Sequence, residues 1–418
     1  MNSRLLCLFF FQLLSTLLLP RGVQAQQGAN WQRWGGPNAN QVSTESDWET
    51  DWTRFPPRQV WKAEIGVGFS GITLFGDKLF TAGRDGENDA VLCLERRTGK
   101  EIWKYTYPTP LADKQHEGGP GATPTHYDGI VYMLSRAGLI TALDAEDGEL
   151  IWEVDTPALT ESKRAYWGFT SSPLVINDKV IFDVGCLLAL DRKSGQFIWK
   201  TENHSPGYGS ITQFQEGKRI VALTNDGLLM VEEQSGDVVA ETKWVTSHPT
   251  NATTPIIDGD LFFVSSGYQR GCGLFRFEND KFEQVYRSRH MSNHMANSVL
   301  HDGQFYGING NSHLARNCTL TCIRADSGKK VWSERGFGCG SVLLAGEHLL
   351  ILSDQGELTC AKASPDGFVA TGKIKAVDGK CWTAGSFCNR RLYCRTASGE
   401  LACWEMVAKK SEAQSANQ

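Results

Sequence analysis

The chain has 418 residues, 42 Lys plus Arg against 47 Asp plus Glu, 41% apolar residues and 21% charged ones. This is the composition of a folded protein, not a disordered one, and a net charge of −5 gives no electrostatic drive toward nucleic acid or anionic lipid. The length suits two or three average domains or one large all-β barrel or propeller, and 43 glycines against 14 prolines point to many tight turns, so internal repeats decide the matter.

The N-terminus reads as a secretory signal. Arg4 precedes an apolar run from Leu5 to Leu19, and Val23-Gln24-Ala25 offers a cleavage site, so residues 1–25 are expected to be removed and the protein exported to the periplasm or beyond. The run contains Gln12 and Ser15 and falls short of the roughly 20 residues a spanning helix needs; no later segment is long enough. Cys7 lies at the start of the run rather than after it and follows Leu6, which speaks against a lipid anchor. Residues 26–57 form a lead-in containing Trp31, Trp34, Trp48 and Trp52, expected to pack on the outside of the domain that follows.

From there one hairpin pattern recurs. Its turns are Gly76-Asp77, Asp128-Gly129, Asn177-Asp178, Glu216-Gly217, Asp258-Gly259, Asp302-Gly303, Gly346-Glu347 and Asn389-Arg390, spaced 39 to 52 residues apart. Most contain Gly, Asn or Asp, which tolerate the positive φ of a tight hairpin, and such a period fits a four-stranded propeller blade. A second pattern follows each of the best-kept hairpins: Gly99 with Trp103, Gly148 with Trp152, Gly195 with Trp199 and Gly328 with Trp332, the Trp always four residues after the Gly. The Gly is read as the turn between the third and fourth strands, and the Trp as a wedge against the next blade. Repeats four, five and seven depart from this pattern, with Ala240, Tyr286 and Thr371 near the place of the Trp.

The eighth repeat stops before its outer strand. Gln59-Val60-Trp61-Lys62 matches Glu101-Ile102-Trp103-Lys104 but has no hairpin before it, so it should complete the last blade and leave no open edge. The expectation is an all-β, eight-bladed propeller of four-stranded antiparallel blades over residues 58–407, with a polar tail over 408–418.

Eleven cysteines remain after the signal. Cys93, Cys322, Cys360 and Cys403 share a repeat position with Ala142 and Ala189, which marks a small buried slot, whereas Cys394 and Cys403 are a candidate disulfide across the last hairpin. Small residues precede each inner strand, as crowding at one axis demands. Just upstream lie polar and aromatic residues that would ring one mouth of the channel: His116, Arg164, Tyr166, Trp167, Tyr208, His248, Asn251, His290, Asn293, His294, Lys380 and Trp382. A small-molecule or anion site and ordinary polar loops both account for them. His290 and His294 have spacing that would suit a metal only if the loop were helical, and no third ligand is near, so no metal site is assigned.

The repeated Asp-x-x-[Ser/Thr]-Gly-x-x-x-Trp step, Tyr166-Trp-Gly-Phe-Thr-Ser-Ser-Pro173 and Trp34-Gly-Gly-Pro37 resemble the quinoprotein-type, PQQ-binding-like β-propeller repeat proteins over nearly all of the mature chain. That family ranges from quinone-dependent alcohol and sugar dehydrogenases to BamB-type assembly propellers that bind partners. The resemblance therefore implies the fold and leaves the activity open. A dehydrogenase with PQQ and Ca²⁺ would need cations for three carboxylates, oxygen ligands for the metal and a carboxylate base. Arg164, Lys163 and Lys380 could serve the first need, only Glu117 is near for the others, and the adjacent Cys-Cys pair typical of such enzymes is missing. The expectation is an exported binding or scaffold module, a monomer that meets an unknown protein or small ligand of the cell envelope through one loop-rich face. The alternative is a PQQ-dependent oxidoreductase.

Overall fold

The computed structural model describes residues 30–111 and 113–409; the proposed signal peptide and most of the polar tail lie outside them. The described residues form eight antiparallel sheets around one axis. Blade 1 runs Thr73–Phe75, Lys78–Asp85, Asn88–Glu95 and Glu101–Pro108 from the axis outward, and blades 2 to 7 repeat this order. Blade 8 takes Ser386–Cys388, Arg391–Arg395 and Glu400–Glu405 from the end of the chain and Arg58–Glu64 from its beginning. In that outer pair Trp61 stands opposite Cys403 and Lys62 opposite Ala402, so the ring is closed by the N-terminal strand as expected. Two hairpins differ in detail: the fourth has a four-residue loop, Gln215 to Lys218, and in the fifth Asp258 ends the strand while Gly259-Asp260 turn.

The Gly and Trp of the repeated step meet across blades. Trp61 Nε1 donates to the Arg96 carbonyl at 3.1 Å, Trp103 to Ala145 at 3.2 Å, Trp152 to Arg192 at 3.1 Å and Trp199 to Glu233 at 2.9 Å, each in the following blade. The same indoles lie on Gly99, Gly148, Gly195 and Gly236, where a Cβ would come within 2.5 to 2.8 Å of the ring. Where the pattern is lost another ring takes over: Trp244 lies on Gly273, and Tyr286 on Gly328. Across each hairpin the residue facing the Trp is the small one of the repeat, Cys93 for Trp103, Ala142 for Trp152, Ala189 for Trp199 and Cys322 for Trp332. Cross-strand neighbours stand close enough that only a small side chain leaves room for an indole.

Nearer the axis, blades are joined by a relay in which a backbone N–H of one blade donates to a side chain of the next. Gly71 donates to Thr123 Oγ1, Thr123 to Ser172 Oγ, Ser172 to Ser210 Oγ, Ser210 to Thr254 Oγ1 and Thr254 to Asn297 Oδ1, all at 2.9 to 3.1 Å. The seam between blades 8 and 1 is held by buried Arg395, which donates to the carbonyls of Ala82 at 2.7 Å and Gly66 at 3.0 Å.

The lead-in packs on the outside only in its later part, where Trp52 lies on the outer strand of blade 7; its first part does not. Trp31 pairs with Leu74 of blade 1, the Gln32 carbonyl accepts from His126 N–H of blade 2, and Val42–Ser43 adds a parallel strand to the inner edge of blade 7. The segment thus crosses the channel at the hairpin-turn end. The reason lies in its composition: the inner strands present unpaired backbone groups at the axis, and an extended segment with large apolar side chains can satisfy and cover them. Farther along, Trp52 is buried beside Gly372 of blade 7, whose repeat lacks its own Trp.

The eleven described cysteines are all buried. Cys394 stands opposite Ala402, one residue away from Cys403, so alternation puts the two thiols on opposite faces of the sheet and the proposed disulfide is not formed.

Candidate functional site

An axial cavity of about 370 Å³ opens at the loop end and is floored at the other by Trp31, Trp34, Gly35 and Gln41 of the lead-in. Two sets of loops build its mouth. Those entering the inner strands bring Phe69, His116, Trp167, Tyr208, His294 and Trp382; those joining the second and third strands bring Arg136, Tyr268 and His313.

The aromatic rings form two platforms. Phe69 and Trp382 stack at 5.7 Å with 23° between planes, and His116 stands edge-on to Phe69 at 5.3 Å. On the other side Tyr268 stacks on His313 at 5.8 Å and meets His294 edge-on at 5.1 Å. Trp167 and Tyr208, at 5.6 Å, stand between them. These rings are fixed from behind. Trp167 Nε1 donates to the Lys114 carbonyl at 3.0 Å, and the Tyr268 N–H donates to Asn311 Oδ1 at 2.7 Å.

Gln41, Gln115 and Tyr268 line the cavity with φ of 59°, 66° and 53°, a left-handed backbone that costs a non-glycine residue about 1–3 kcal/mol. Such conformations persist only where the surroundings impose them.

Charge at the site is largely committed. The buried Arg136 guanidinium donates to the carbonyls of Gly119 and Trp167, the latter at 2.6 Å, and comes no nearer than 3.5 Å to His116 Nε2. Burial, reinforced by Arg136, holds the His116 imidazole neutral down to about 4, and burial with His313 nearby does the same for His294. His294 Nδ1 accepts from the Ser312 N–H at 3.1 Å. Just outside the cavity Lys380 is paired with Glu117 at 2.6 Å and lies over the Trp382 ring.

Five of the sequence-derived residues therefore line one cavity: His116, Trp167, Tyr208, His294 and Trp382. The others do not. Tyr166 is 59% exposed and stands edge-on to Trp167, Arg164 and His290 are exposed, and exposed His248 packs on Tyr268. Asn251 and Asn293 are buried brackets: Asn251 Nδ2 donates to the carbonyls of Thr224 and Trp244, Asn293 Nδ2 to that of Ile308. Phe69, Arg136, Tyr268, His313 and the lead-in residues are additions. Extra length between the second and third strands of repeat six was the available signal for His313, whereas the loop that carries Tyr268 is no longer than those of repeats two, seven and eight.

A tricarboxylate quinone with a calcium ion does not fit these residues. No carboxylate lines the cavity, Arg136 is spent on backbone carbonyls, and among the described residues no group of three or more His, Cys, Asp or Glu is placed to hold a metal.

Fold and site together define a quinoprotein-type propeller with a one-mouthed axial cavity. Residues 48–216 and 209–334 match the family described as outer membrane protein assembly factor BamB, and the chain belongs to that family. It is 21% identical over 308 residues to the outer membrane protein assembly factor BamB of Yersinia pestis, covering 67% of this chain and 71% of that protein. It is 31% identical over 164 residues to the quinohemoprotein alcohol dehydrogenase ADH-IIG of Pseudomonas putida, a match spanning 36% of this chain and only 22% of the dehydrogenase. Among solved structures, BamB from Moraxella catarrhalis superposes with a TM-score of 0.63 at 17% identity, over 85% of this chain and 99% of that one. A europium-containing methanol dehydrogenase gives 0.68 at 11% identity, over 91% and 99%. At these identities the two structures speak for the fold alone. No helix among the described residues is long and apolar enough to cross a membrane.

Proposed function

We propose that this chain is an exported binding propeller of the cell envelope, which receives part of a partner or a small ligand at the loop-end mouth of its axis. The observation that carries this reading is the floored cavity itself: a single mouth, two aromatic platforms and a cation, Arg136, already committed to backbone carbonyls. A concave site lined mainly by aromatic rings suits the binding and orientation of a guest. The similarity to BamB supports a role as a binding module. The dehydrogenase reading draws on similarity alone and lacks the cofactor's partners in the cavity.

The test pairs Trp167→Ala with Tyr268→Ala in tagged, exported protein. Loss of the captured partner or ligand at an unchanged melting temperature is expected. Undiminished capture would move the site elsewhere, and a saturable rise in melting temperature with PQQ and Ca²⁺ would favour the enzyme.

A further inference from the structure

We propose that Cys318 and Cys339 are joined as a disulfide in the exported protein, a redox site that ties blade 6 to blade 7 beside the mouth; this rests on the export part of the reading above and not on what the cavity binds. Cys318 stands just before the third strand of blade 6, Thr319–Arg324, and Cys339 in the loop that enters the inner strand of blade 7, Ser341–Ala345. Both are buried in one apolar cluster with Ile308 and Phe337, and their thiols are hydrogen-bonded to each other across the blade boundary. Thiols in such contact stand within reach of a bond, which side chains pointing apart do not. Other thiols are engaged elsewhere: Cys388 Sγ accepts from Arg96 Nη2 at 3.0 Å, and Cys381 Sγ donates to the Gly379 carbonyl at 3.5 Å.

The backbone holds the two sulfurs face to face. On the blade 6 side a Cβ at Gly310 would come within 2.6 Å of Cys318 Sγ, which donates to the Asn311 carbonyl at 3.4 Å. On the blade 7 side the Cys339 N–H donates to buried Asp354 Oδ2 at 3.0 Å, and a Cβ at Gly338 would come within 2.2 Å of that carboxylate. Between Gly310 and Cys318 runs the loop that reaches the cavity: the Ser312 N–H donates to His294 Nδ1 and His313 stacks on Tyr268, yet no residue of its single turn, Ser312–Asn317, is buried. A bond at Cys318 therefore anchors the far end of an exposed loop and steadies one of the two platforms.

The oxidant is a dithiol–disulfide exchange protein of the envelope. One cysteine thiolate attacks its disulfide and displaces one sulfur, and the second thiolate attacks the mixed disulfide and displaces the other. The oxidant's S–S bond breaks, the Cys318–Cys339 bond forms, and two electrons and two thiol protons leave on the reduced oxidant. Both sulfurs are buried once the blades close, so the exchange takes place while the chain folds.

The experiment takes the full chain from the envelope fraction of exporting cells, alkylates it in denaturant, reduces it and alkylates it again with a second reagent. Tandem mass spectrometry then tells Cys318 from Cys322 and Cys339 from Cys360. Cys318 and Cys339 should carry only the second reagent and appear as one linked peptide before reduction, while Cys93 and Cys186 carry the first. Reductant should lower the melting temperature of the wild type and of Cys93→Ala, leave that of Cys339→Ala unchanged, and speed hydrogen exchange at residues 311–317 of the wild type. First-reagent labelling of both cysteines in a chain that has lost its signal, or a bridge from either to another cysteine, would overturn the inference while leaving export intact. A chain found inside the cell with its signal attached would instead sink the export reading. The pairing is then read from that chain refolded with oxidised glutathione, where the Cys318–Cys339 bridge supports it and any other bridge, or none, overturns it.

Discussion

The indole of Trp61, near the start of the propeller, lies on Gly99 of blade 1 so closely that a Cβ there would come 2.5 Å from its ring, and its Nε1 donates to the Arg96 carbonyl. One side chain thus completes blade 8 and docks it on blade 1. Trp61→Ala should cost about 3–5 kcal/mol, the range for removing a buried Trp, because it opens both the outer strand pair and the seam. Gly99→Ala should also destabilise, through the clash and through the φ of 75° at that position. Urea unfolding of each variant checks this. A loss below about 1 kcal/mol for Trp61→Ala would mean that the ring does not depend on this closure.

Acid should weaken the fold. Burial holds His116, His126 and His294 down at about 4, whereas an unfolded histidine titrates near 6.5, so between those values the unfolded chain takes up protons that the folded one refuses. The stability these groups contribute is complete above about 6.5 and declines as pH falls toward about 4. His204 works the other way. Burial disfavours its charged form, but Asp183 at 2.9 Å outweighs burial and raises its pKa, so its contribution is complete at low pH and is lost as pH rises through the folded value. With His348 also lowered by burial, four groups against one predict a lower urea midpoint at about pH 4.5 than at about pH 7.5. His126→Phe should lessen the drop, because that ring already stacks on Phe75 at 4.0 Å and its Nδ1 has no partner. A midpoint that holds or rises in acid would contradict the assignment.

The thiols should be silent in the native state. All eleven described cysteines are buried, and burial pushes Cys93, Cys186, Cys272, Cys360, Cys381 and Cys403 up to about 12. A thiol-specific disulfide reagent should label them only at the rate at which the blades open, and rapidly in denaturant. Fast labelling of several thiols in native buffer would show that the blades are looser than their packing implies.

The scaffold was legible because its signals are local and repeated. The hairpin turns fix where each inner strand ends, Gly99 and Trp103 fix the outer turn, and the match of Gln59-Val60-Trp61-Lys62 to that step reveals the closure. The cavity was legible only in part. His116, Trp167, Tyr208, His294 and Trp382 lie in the loops that enter the inner strands, so reading back from the turns finds them. The same counting also returns Asn251 and Asn293, whose amides turn inward to bracket backbone carbonyls. His313 comes from a long loop with no repeat position, and Tyr268 sits at the place of Arg136 in loops between the second and third strands, which the counting did not reach. The lead-in floor depends on backbone pairing between Trp31 and Leu74, which no periodicity encodes.

The most direct measurement places a photo-crosslinking phenylalanine derivative at Tyr268, in the mouth, or at Tyr127, exposed on the opposite face, and irradiates cells that export each variant. Position 268 should capture a guest and position 127 should not. Adducts from position 127 with none from position 268 would contradict a binding site at the mouth of the axis.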